Sequence, residues 1–177
     1  MVMSVPSAAA QVAHPLIIGV TSHRNLVPGE TEALRILVRG FLARVQHDYP
    51  RLPLTIVSAL AAGGDQLVAE EALALGARLV APLPLPLAEY VQDFDDPLVR
   101  QRFDTLRSHA TVIEAPVQDE PPIDGAPAPE RSREWHYAQT GIYIASHCHL
   151  LLAIWDGKPA TLPGGTAEVV DYYLTGR

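Results

Sequence analysis

Short apolar runs that end in Gly, Ser, Thr or Asp alternate along this chain with longer segments whose apolar residues recur every three or four positions. The first pattern suits strands covered on both faces and the second suits crossover helices, so their alternation predicts repeated βα units around a parallel sheet. Strands are expected at Leu16–Val20, Leu54–Ser58, Arg78–Pro82, Thr111–Glu114 and His149–Trp155. Helices are expected at Glu30–Asp48, Asp65–Leu75, Leu98–Ser108, Arg133–Cys148 and Thr166–Leu174. In the first of them Leu34, Leu37, Val38, Phe41, Leu42 and Val45 supply the apolar stripe. The fold class that follows is α/β, a Rossmann-like, doubly wound, mostly parallel sheet with helices on both faces.

The chain has 177 residues, the size of one domain. Residues 1–14 lack the basic start and apolar core of a signal peptide and read as a flexible leader, leaving residues 15–177 as one domain. Residues 115–132 carry Pro116, Pro121, Pro122, Pro127 and Pro129, a density that excludes helix and central strand and predicts a long loop. The last helix ends near Arg177, which fits one module of a longer protein, fused to an effector or membrane segment.

Composition narrows the partners. Hydrophobic residues make up 48% of the chain, charged ones 19%, and the net charge is -7. Lys158 is the lone lysine and no basic run occurs, so a nucleic-acid partner is not expected. Cys148 is the only cysteine, which excludes an intrachain disulfide and predicts a reducing, cytoplasmic setting. The most apolar late stretch, GIYIASHCHLLLAIW, is broken by Ser146, His147 and His149 and is too short to span a bilayer, so no membrane segment is expected within the chain.

Ligands of open parallel sheets bind outside the carboxyl ends of the strands, which directs attention to three turns. After the first strand, GVTSHRN brings together Gly19, Thr21, Ser22, His23, Arg24 and Asn25, where Arg24 can pair with a phosphate and the hydroxyls can donate to it. After the second, Ser58 leads into Gly63, Gly64 and Asp65; the glycines suit close approach of a ribose or phosphate, while Asp65 suits an N-cap. After the last, Gly164, Gly165 and Thr166 open a helix whose free N–H groups favour an anion, and Glu168 in its first turn can reach a ribose hydroxyl. His147 and His149 share a strand face but lack a third ligand, so no metal is expected. Cys148 with a histidine as a nucleophile lies at the wrong end of the sheet.

Together the turns GVTSHRNL, SALAAGGDQLVAE and WDGKPA…GGTAE resemble the SLOG superfamily, the fold shared by Lonely Guy enzymes, the DNA-processing protein DprA and the sensory domains of TRPM channels. The resemblance runs from about Leu16 to the end. It implies a nucleotide-derived small molecule with its phosphate at the GGT turn, bound by a sensory or regulatory module acting on ADP-ribose, NAD-derived or cyclic-nucleotide ligands. The alternative it implies is a phosphoribohydrolase that cleaves nucleoside 5'-monophosphates to base and ribose 5-phosphate, with Glu168 as the catalytic carboxylate. The enzymes carry PGGxGTxxE. Here the motif is contracted to Pro163-Gly164-Gly165-Thr166 and Glu168 stands one place early, rotated by about 100° on a helix, which favours holding over cleaving. Arg131, Arg133 and Glu134 lie where the enzymes place an arginine and a second acid. DNA binding in the manner of DprA is disfavoured by the acidic balance. No cofactor is implied, and a homodimer is compatible with the family.

Overall fold

The computed structural model describes residues 14–114, 132–159 and 164–176. The expected leader, apart from His14, and the Pro-rich loop, apart from Ser132, lie outside the described residues. So does Arg131.

Five strands form one sheet: β1 (Leu16–Ser22), β2 (Leu54–Val57), β3 (Arg78–Leu83), β4 (Ala110–Glu114) and β5 (Leu150–Ile154). Their order is β4-β3-β2-β1-β5 and every neighbouring pair is parallel. The helices between and after them are α1 (Thr31–Asp48), α2 (Gly64–Ala74), α3 (Leu87–Tyr90), α4 (Pro97–Ser108), α5 (Arg133–Ser146) and α6 (Thr166–Thr175). This is an α/β Rossmann-like arrangement. The core lies along the sheet, where Ile18, Val20, Ile56 and Ala81 meet Val38 and Leu42 of α1 and Leu67 and Val68 of α2. None of the described helices is long and apolar enough to cross a membrane.

Strands and crossover helices stand where the hydrophobic pattern puts them, within a few residues. The difference at β1 matters, because Thr21 and Ser22 belong to the strand and not to the turn. They pair with Ala153 and Ile154 of β5, a long-range partner that extends β1 beyond its own apolar run. A second difference is α3 and the 3-10 turn Val91–Asp93 that follows it, neither of which the periodicity announces. Both are too short to show a helical repeat. They are held by Tyr90, which is fully buried and packs edge-on against Phe94 and Phe103 at centroid separations of 5.3 and 5.7 Å.

Candidate functional site

The chain leaves β1 toward β2, β3 and β4 on one side, then returns to lay β5 on the other side of β1. The connections from β1 and β5 therefore depart in opposite directions, and a crevice opens between them at the carboxyl edge. A cleft of about 460 Å³ lies there. Its walls come from the end of β1, the segment after β2, α3, α5 and the start of α6.

Thr21, Ser22, His23, Arg24, Asp65, Gly164, Gly165 and Thr166 all line this cleft, so the three turns singled out by their composition do converge. Ala59, Pro84, Tyr90, Glu134, Tyr137, Thr140 and Gly141 also line it. Of these, Glu134 is the one to which the resemblance points, as a residue in the region where the enzymes place a second acid. Tyr90 carried no signal, because it sits in a helix that sequence periodicity cannot reveal. Gly19, Asn25, Ser58, Gly63, Gly64 and Glu168 do not line the cleft.

The glycines among these have packing reasons. A Cβ on Gly63 would collide with the carbonyl oxygen of Arg24, and Gly63 has φ +83°, a conformation that favours glycine. A Cβ on Gly64 would lie 2.6 Å from Cβ of Ser22, and the Gly64 amide donates to the His23 carbonyl at 3.3 Å. The close approach expected for a ribose or phosphate is thus made by the protein's own β1 turn. Gly19 meets Cys148 in the same way, with its would-be Cβ 2.8 Å from Sγ.

Asp65 is not the N-cap that its position suggests. The cap residue is Gly63, no side chain caps the helix, and Asp65 lies inside the first turn. Its carboxylate accepts from Ser22 Oγ at 2.5 Å and from Ser58 Oγ at 2.8 Å, which ties α2 to β1 and to the end of β2. Burial raises its pKa to about 6, against the pull of the two hydroxyls, the Ala61 backbone amide and the Arg24 charge. Near neutral pH the floor of the cleft therefore carries a carboxyl group poised close to its titration point.

Arg24 forms part of the opposite wall. Its guanidinium lies 5.1 Å from the centre of the Tyr137 ring and 3.5 Å from Asp93 Oδ2. Asp93 also accepts from Arg133 at 2.5 Å and from the Tyr137 hydroxyl. Arg24 lines a second cleft, of about 400 Å³, together with Asn25, Gly63 and Asp93. His23 turns to Asp156 at 3.2 Å. Lys158 holds the Asp156 carboxyl below the usual range, first through its side chain at 2.8 Å and then through its amide, with His23 adding to the effect.

At the third turn the backbone of Gly164 has φ +77° and its amide donates to Glu168 Oε2. The Glu168 carboxylate thus closes on its own loop and lines a small depression between α5 and α6, outside the main cleft. Thr166 is buried at the cleft end of α6. His147 and His149 do not share a strand face: His147 ends α5 and bonds the Tyr143 carbonyl, while His149 precedes β5 and accepts from the Ile17 amide of β1. Among the described residues there is no group of three or more His, Cys, Asp or Glu able to hold a metal.

No protein-family model matches the chain, and no curated protein matches it by sequence. Solved structures do match. DNA processing protein A (DprA) from Streptococcus pneumoniae aligns with a TM-score of 0.57 and 17% identity, covering 93% of this chain and 48% of that protein. DNA processing protein A from Helicobacter pylori, described in its single-stranded DNA binding mode, aligns with a TM-score of 0.53 and 16% identity, covering 91% of this chain and 63% of that protein. The chain shares its fold with these DNA processing proteins and spans roughly half to two thirds of their length.

Two expectations are corrected by these neighbours. These two neighbours are DNA processing proteins, one of them described in its single-stranded DNA binding mode, and neither is a sensor of small nucleotide derivatives. The hydrolase alternative gains no support from them either. The exclusion of nucleic acid as a partner falls for the same reason. It rested on the acidic balance and on the lack of a basic run along the sequence, whereas binding in a cleft depends on the few groups that the fold brings to line it.

Proposed function

We propose that the chain is a single-stranded DNA-binding module and that the cleft at the β1–β5 crevice receives a nucleotide of the strand. A phosphate would meet the Arg24 guanidinium and the amino end of α6 at Gly165 and Thr166, where a helix start favours an anion. The base and sugar would lie on the apolar wall of Val20, Ile144 and Val169, beside Tyr137. The observation that carries this reading is that Arg24 and the start of α6 line one cleft at the switch point of a fold shared with a single-stranded DNA binder. At about 460 Å³ the cleft falls in the range of ligand sites, roughly 300–1,000 Å³. A cytoplasmic setting, where Cys148 stays reduced, belongs to the same reading.

Fluorescence anisotropy with a labelled oligo-dT at low salt tests it. Wild-type protein is expected to bind the single strand more tightly than the same length of duplex, and Arg24→Ala is expected to weaken binding about tenfold, the effect of one charge-assisted contact. Absence of binding by wild-type protein at micromolar concentration and low salt refutes the proposal.

A further inference from the structure

Three donors, one from the segment after β1 and two from α5, converge on Asp93, at the end of the 3-10 turn after α3. Arg24, just beyond β1, reaches Oδ2 at 3.5 Å; Arg133, at the start of α5, reaches Oδ1 at 2.5 Å; and the Tyr137 hydroxyl, one turn further along α5, donates to Oδ2. Two guanidiniums and a phenol around one oxyanion are the donor set that proteins use to bind phosphate or sulfate. The carboxylate is largely enclosed, with 16% of its side-chain surface exposed, while Arg24 and Arg133 keep 44% and 46% open to solvent. An incoming anion can therefore reach both cations from outside while Asp93 holds them from within.

We propose that Arg24, Arg133 and Tyr137 constitute an oxyanion site occupied at rest by the protein's own Asp93, and that a backbone phosphate displaces this carboxylate when a strand binds. The site lies on the rim beside the main cleft, where Arg24 and Asp93 also wall the second cleft. Displacement requires only rotation about the Asp93 side-chain bonds, because the buried Tyr90 anchors the turn that carries it. Asp93 thus lowers the affinity of the resting protein for polyanions and keeps the two arginines oriented in the absence of ligand. That the displacing anion is a DNA phosphate rests on the reading above; that the site accepts an oxyanion does not.

The test compares wild type with Asp93→Asn, which keeps the shape and removes the charge, and with Asp93→Ser as a smaller replacement, each checked for folding by circular dichroism. Inorganic phosphate is expected to raise the Tm of both variants saturably and to leave that of wild type unchanged at the same ionic strength, because the anion fills a vacated place. With oligo-dT, Asp93→Asn is expected to bind about tenfold more tightly than wild type with an unchanged salt slope, because the same phosphate occupies the site in both and only the competing carboxylate is removed. A phosphate response without any oligo-dT binding supports the oxyanion site and refutes the single-stranded DNA reading. Oligo-dT binding by wild type, with no phosphate response and no tightening in either variant, overturns the role given to Asp93 and leaves that reading intact. Variants that cannot fold even with phosphate present overturn it too, since they make Asp93 a structural strut.

Discussion

At the scale of single residues, Asp65 shows how far a sequence can be read and where it misleads. An aspartate beside two glycines at a helix start reads as a cap, and only the fold brings Ser22 and Ser58 to its carboxylate. The position was legible and the role was not, because both partners come from strand ends that spacing cannot relate to it. The raised pKa has a consequence for stability. A carboxyl group whose folded pKa lies above its unfolded value favours the folded state fully below about pH 4, and that contribution is lost as pH rises through about 6. The loss amounts to about 3 kcal/mol for a shift from 3.8 to about 6, as an upper bound. Asp65→Asn is therefore expected to gain stability relative to wild type between pH 4 and pH 7, read from urea melts at both values; a difference that does not change with pH contradicts it. Gly63 makes the complementary case. Its glycines drew attention as a place for a ligand, yet any side chain there meets the Arg24 carbonyl. Gly63→Ala is expected to cost about 2 kcal/mol or more, from a strained φ and a backbone clash. A thermal melt indistinguishable from wild type would show that the turn can relax.

Elements with a long period were legible and short ones were not. Leu34, Val38, Leu42 and Val45 announce α1 because they repeat over several turns, and α3 stays silent because four residues cannot repeat. That silence hid Tyr90 and Asp93, and with them one side of the candidate site. The packing of α5 on α6 was equally invisible. Gly141 in the middle of α5 is unfavourable for an isolated helix, but a Cβ there would strike Cγ2 of the buried Val169, so the glycine lets α6 approach and sets the start of α6 against the cleft. Helix propensity alone predicts that Gly141→Ala stabilises by about 1 kcal/mol. The contact with a stiff, β-branched neighbour predicts a net loss of about 1–2 kcal/mol instead, as overpacking costs more than propensity returns. Adding Val169→Ala should recover part of that loss, a coupling that a double-mutant cycle in urea would measure. If Gly141→Ala proves stabilising by itself, the two helices are free to separate and α6 does not fix the cleft.

For the whole molecule, the strand order decided more than the charge. The alternation of elements foretold a parallel sheet, but the placement of β5 beside β1 comes from pairing between residues far apart in sequence, and it is this placement that gathers the three turns at one crevice. The net charge of -7 pointed away from nucleic acid. Its repulsion is screened over about 10 Å at 0.1 M salt, so it slows encounter and suppresses adsorption without deciding what a cleft can hold. The cations near the cleft are mostly neutralised within the fold, Arg24 and Arg133 by Asp93 and Lys158 by Asp156. Such a protein differs from a basic-track binder in a measurable way. If one or two phosphates are engaged, the logarithm of affinity for oligo-dT should fall against the logarithm of salt concentration with a slope of roughly -0.7 to -1.4. Lengthening the strand beyond the few nucleotides that reach the crevice should then add little affinity. A slope steeper than about -3, growing with strand length, would require an extended line of unpaired cations, which the described residues do not provide, and would move the binding surface away from the crevice between β1 and β5.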